Sequence, residues 1–87
     1  MKLEVVHPAF LIATGDTERV EVLRSPLVKD TSRRYQPVRR YIAEHGLVLA
    51  AQETFDDPDW MFGEVAVSVY VPPAVRNASY AEVVARA

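Results

Sequence analysis

Five acidic residues, Glu53, Asp56, Asp57, Asp59 and Glu64, crowd a short stretch of the chain, and convergent carboxylates are what a hard divalent cation requires. Their spacing matches no calcium-loop pattern, and aspartates around Pro58 are more simply turn formers, so no metal site is expected. His45 falls in a final helical turn, where an imidazole meets the helix dipole favourably, and a structural role is favoured over catalysis. Ser25, Ser32, Ser68 and Ser79 lack a nucleophile-elbow context, and no cysteine exists to act as nucleophile or thiolate ligand. The reading leans away from an enzyme, with no catalytic residues and no cofactor.

Two sets of residues suit binding better than chemistry. Lys29, Arg33, Arg34, Arg39 and Arg40 form a basic stretch interleaved with Tyr35 and Tyr41. Phosphate contact with stacking tyrosines is one reading. The net charge of −2 and the demand of the core for both tyrosines argue against nucleic acid. Arg33, Arg34, Arg39 and Arg40 are better suited to an acidic protein partner. The second set is aromatic: Tyr70 and Trp60, with Glu64, Ser68 and Phe62 nearby in sequence, could wall a concave site for a small apolar or cationic ligand.

The elements that must position these groups are legible in part. Lys2 to Val6 and Ala9 to Thr14 read as one bent strand or two short ones, interrupted at His7-Pro8. Gly15-Asp16 supplies a turn, and Thr17 to Arg24 reads as a further strand with Val20 and Val22 on one side and Arg19 and Glu21 on the other. Leu27 to Ser32 is expected to be a mobile loop. Tyr35, Val38, Tyr41 and Ile42 then recur at helical spacing, and Gly46 supplies a left-handed stop. Leu47 to Phe55 and Glu64 to Val71 form a hairpin. The second of these alternates strictly, with Val65, Val67, Val69 and Val71 on one face and Glu64, Ala66, Ser68 and Tyr70 on the other. The valine row is expected to face the helix and to leave the Tyr70 face as a binding surface. Ser79-x-x-Glu82 resembles a capping box, with Tyr80, Val83, Val84 and Ala87 along one face of a short final helix.

The fold class expected is α+β: an antiparallel sheet of three to four strands packed on one main helix, with a short C-terminal helix, all in a single domain over residues 1–87. The 87 residues, 49% apolar and 25% charged, suit one small domain with a modest core that self-association would extend. No apolar run is long enough to span a membrane, no signal peptide opens the chain, and the lack of cysteine fits a reducing cytoplasmic setting.

Four segments in order, LEVVHPAFLIATG, YIAEHGLVLA, ETFDDPDW and GEVAVSVYVP, cover most of residues 3–72, and their order resembles the gyrase-inhibitor-like (GyrI-like) family of effector-binding domains. Members typically carry two strand-helix-strand-strand modules with a ligand cleft between them, and bind hydrophobic or cationic small molecules or a protein partner. This chain has room for one module, and its Thr17–Ser32 segment departs from the family's pattern. The resemblance implies a non-enzymatic binding domain whose cleft forms in a homodimer. The rival reading is a protein-interaction or inhibitor module acting through its charged surfaces, and a third is a hydrolase that would need a carboxylate base beside a pocket.

Overall fold

Alternating β-branched residues punctuated by Gly and Pro organise most of this chain into antiparallel sheet. The computed structural model describes residues 2–7, 10–29, 31–60 and 63–76. Five strands run in the order β1 (Lys2–His7), β2 (Leu11–Asp16), β3 (Val20–Arg24), β4 (Val48–Asp56) and β5 (Glu64–Val71) along the chain, and lie side by side as β1-β2-β3-β5-β4. Every neighbouring pair is antiparallel. A 3-10 turn, Arg33–Tyr35, leads into helix α1 (Gln36–His45) between β3 and β4.

Three to four strands packed on one main helix is therefore corrected to five strands with a short helical segment over part of one face. The extra strand arises at His7, whose carbonyl accepts from the Phe10 N–H at 2.7 Å, so the segments on either side pair as a hairpin instead of continuing as one bent strand. A ten-residue helix is about 15 Å long and cannot roof five strands spaced about 4.8 Å apart. It packs on the β1–β3 half, where Tyr35, Val38, Tyr41 and Leu47 bury Leu3, Leu11, Ala13, Val20 and Val22. Each fully buried valine or leucine there contributes about 1.5–3 kcal/mol. After β5 the described chain holds a single helical turn, Pro73–Arg76, and no C-terminal helix of the expected kind; the Ser79-x-x-Glu82 box and its apolar face lie outside the described residues.

Helix α1 forms where its spacing places it. Pro37 sits in its first turn, where the missing N–H removes no helical bond, and Tyr35, Val38 and Tyr41 are buried while Arg39, Arg40 and Glu44 are exposed. Gly46 ends it in the left-handed region at φ 64°. There the Leu47 N–H donates to the Ile42 carbonyl at 3.0 Å and the Gly46 N–H to the Ala43 carbonyl at 3.4 Å, a Schellman closure. Burial, with the Asp16 carboxylate second, pushes the Tyr41 phenol above its ordinary range. The His45 ring lies 4.3 Å from that of Tyr41.

The orientation of β5 is opposite to the expected one. Its partners across β3 are Val20 for Tyr70, Val22 for Ser68 and Arg24 for Ala66, and directly opposed residues share a face. Because Val20 and Val22 belong to the helix-side core, Ala66, Ser68 and Tyr70 face the helix side and the valine row faces away. Tyr70 packs on that core, and its hydroxyl lies 2.7 Å from the hydroxyl of Tyr35. On the opposite face Val69 and Val71 cluster with Ala51. There Val6, Ile12, Leu23 and Val67 also form one continuous cross-strand row. A β-bulge between Leu49 and Ala51 shifts the β4 register, so Gln52, Thr54 and Asp56 fall on the helix side.

Candidate ligand pocket on the open half of the sheet

Helix α1 covers the β1–β3 half of the sheet and the Tyr70 end of β5, and the helix side of β4 stays exposed at Gln52, Thr54 and Asp56. One cross-strand row there runs Arg24, Ala66, Thr54 over β3, β5 and β4, and the next runs Val22, Ser68, Gln52. With strands about 4.8 Å apart, the Arg24 and Thr54 backbones stand about 10 Å from each other with only the Ala66 methyl between them. A small residue flanked by two longer ones leaves a depression.

The segment after β3 closes one side. Ser25 is fully buried; its N–H donates to the Phe10 carbonyl at 2.7 Å, its Oγ accepts from the Leu27 N–H at 3.2 Å, and its carbonyl accepts from the Val28 N–H at 2.9 Å. Val28 is buried as well. These contacts fasten a segment expected to be a loose loop, and they bring Pro26 and Lys29 to the rim. The result is an open pocket of about 320 Å³ lined by Arg24, Pro26, Lys29, Gln52, Thr54 and Ala66.

Arg24 is the most constrained member of the lining. It is half-buried, its Nη1 donates to the Val28 carbonyl at 2.5 Å, and its guanidinium carbon lies 5.8 Å from the centre of the Tyr35 ring, within cation–π reach. Its Nε–H is buried without a hydrogen-bond partner. Among the described residues Arg24 has no ion-pair partner, and Glu21 of the same strand is engaged by Arg19 at 3.5 Å. Lys29 is exposed at the rim. Asp56 and Glu64, paired across β4 and β5, lie one row further along the same face and outside the lining.

The residues singled out by sequence do not converge. Tyr70 is directed into the helix-side core, and Glu64 lies six residues away along β5, about 20 Å at the rise of a strand. Trp60 belongs to the β4–β5 connection at the Glu64 end, half-buried, with its Nε1 buried and unpartnered among the described residues. That connection is shaped by Asp57, whose carboxylate accepts from the Asp59 N–H at 3.0 Å and whose N–H donates to the Gly63 carbonyl at 3.0 Å. Ser68 is buried beside the pocket, and Phe62 lies outside the described residues. The arginines are spread along one surface: Arg34 sits over the Phe10 ring at 4.5 Å, Arg39 donates to the Ser32 carbonyl at 3.0 Å, and Arg33 and Arg40 are exposed.

Arg24, Pro26, Gln52 and Thr54 are not among the residues the sequence singles out, and Ala66 enters there only as a member of the Tyr70 face. One signal was available: Arg24 is in phase with Val20 and Val22, so a cation ends the buried side of an otherwise apolar strand. Gln52 and Thr54 carried no such signal, because the bulge that turns them to this face is invisible in the local pattern.

Fold and pocket together define a five-stranded antiparallel α+β domain with a polar, cation-bordered depression where its helix stops short. Residues 8–84 match the model of the family described as gene product 70, and the chain belongs to that family. No curated protein and no solved structure matches it. The comparisons bring no GyrI-like match to set beside the four-segment resemblance. No described helix is long and apolar enough to cross a membrane.

Proposed function

We propose that this protein is a non-enzymatic binding domain that seats a small polar ligand in the pocket bordered by Arg24, Lys29, Gln52, Thr54 and Ala66. The carrying observation is the depression of about 320 Å³ on a floor of paired strands, beside the exposed helix side of β4, a size in the small-molecule range. Its described lining offers hydrogen bonds and positive charge but no carboxylate or imidazole to serve as a general base, which supports binding over turnover. The polar, cationic lining shifts the ligand away from the apolar or cationic class suggested by Tyr70 and Trp60. The described walls come from one chain, so this reading does not require a homodimer cleft. A cysteine-free domain of this kind suits the cytoplasm.

Amide chemical-shift mapping of the full chain against a panel of neutral, cationic and anionic metabolites tests the proposal. Saturable shifts are expected around Arg24, Lys29, Gln52, Thr54 and Ala66, and Ala66→Leu, which fills the floor, should abolish them. Silence across the panel, or shifts confined to the Trp60 and Glu64 end, would overturn it.

A further inference from the structure

Resting on that pocket reading, we infer that the ligand carries an oxyanion, a phosphate or carboxylate group, gripped between Arg24 and Lys29 above the Ala66 methyl. Arg24 motivates this first. A half-buried guanidinium that has no carboxylate partner among the described residues keeps a desolvation cost that the Val28 carbonyl and the Tyr35 ring offset only in part. An oxyanion supplies the missing charge, and a guanidinium held by a backbone carbonyl and an aromatic face is prearranged for it.

The rest of the lining has the matching chemistry. Lys29 adds a second, mobile point charge at the rim, and the Gln52 amide and Thr54 hydroxyl provide neutral donors and acceptors. Ala66 is the residue that lets an anion approach the sheet, since any larger side chain at the centre of the row would occupy the space between Arg24 and Thr54. Asp56 and Glu64 lie one row beyond Ala66 and Thr54 and outside the lining, so the uncharged remainder of the ligand extends the other way, toward Gln52. A volume of 320 Å³ exceeds what a bare phosphate fills, which calls for a small anionic metabolite and not an inorganic ion alone.

The test titrates the full chain at constant ionic strength with glycerol 3-phosphate, inorganic phosphate, citrate and, as the uncharged control, glycerol, following amide shifts. Saturable binding of at least one anion is expected, the phosphate and citrate arms deciding between the two oxyanions, with glycerol inert. Arg24→Gln and Lys29→Gln should each weaken binding at least tenfold, while Lys2→Gln, on the opposite face, leaves it unchanged. Arg24→Lys, which keeps the charge and loses the fork, should fall between. If Arg24→Gln fails to fold, Lys29→Gln decides, because Lys29 is exposed and its loss leaves the core intact. Equal affinity for wild type and Lys29→Gln, or anions that do not bind at constant ionic strength, overturns the inference. Pocket shifts from neutral compounds without any from anions overturn it and leave the binding-domain reading standing, whereas silence from every compound overturns both.

Discussion

Two phenols meet where the helical segment joins the sheet. The Tyr35 and Tyr70 hydroxyls, 2.7 Å apart, tie the first turn of the helical segment to the end of the interior strand β5. A hydrogen bond of this kind contributes about 1 kcal/mol net, and leaving one partner unsatisfied in a buried setting costs more than removing both. Tyr35→Phe and Tyr70→Phe are each expected to destabilise the protein by about 1 kcal/mol, and the double variant by less than their sum. Urea titration of the four proteins measures the coupling; strict additivity would show that the contact carries no energy. Tyr35 was readable as core because its spacing joins it to Val38 and Tyr41. Tyr70 was not, since a tyrosine ending a strict alternation looks the same whether its hydroxyl meets solvent, a ligand or, as here, another phenol.

At the scale of elements, alternation reveals that a strand has two faces without revealing which one a helix covers. Every pairing in β5 follows from its neighbours, and those neighbours come from distant parts of the chain. The valine-rich side therefore looked like the core side, while the helix-side space was already taken by Tyr35, Val22 and Tyr70. Helix α1 and its Gly46 stop were legible because their signals are local. Glycines divide along the same line. At Gly15, φ is 148° and an added Cβ would come within 2.0 Å of the Arg19 carbonyl oxygen, whereas at Gly46 it would meet nothing within 4 Å. The β2–β3 turn depends on that close approach: the Asp16 carboxylate accepts from the Glu18 and Arg19 N–H groups at 2.8 and 3.3 Å, and the Asp16 N–H donates to the Arg19 carbonyl at 2.9 Å. Gly46→Ala is expected to cost about 1 kcal/mol for its left-handed backbone alone. Gly15→Ala should cost about 3 kcal/mol or more, lowering the melting temperature by more than about 12 °C. Equal losses in the two variants would mean that the backbone at Gly15 relaxes freely.

The molecule as a whole is a sheet with a partial roof, and its candidate pocket exists because the roof is short. An open sheet also has two ends. The strand order places β1 and β4 outermost, and β4 is the longest strand, nine residues, with Leu49 and Phe55 among the exposed large apolar side chains. An edge of this length with no strand beside it among the described residues offers a template on which other chains can add strands, which makes self-templated aggregation the hazard of this architecture. Two features of β4 oppose it: the bulge after Leu49 breaks the flat run of hydrogen-bonding groups, and Glu53 and Asp56 place charge on either side of Phe55. Glu53→Val should therefore speed fibril formation at neutral pH, as followed by thioflavin fluorescence. An unchanged lag time would show that the bulge alone protects the edge. On this view Glu53 and Asp56, two of the acidic residues that first suggested a metal site, act as gatekeepers that discourage further strands from adding to the β4 edge.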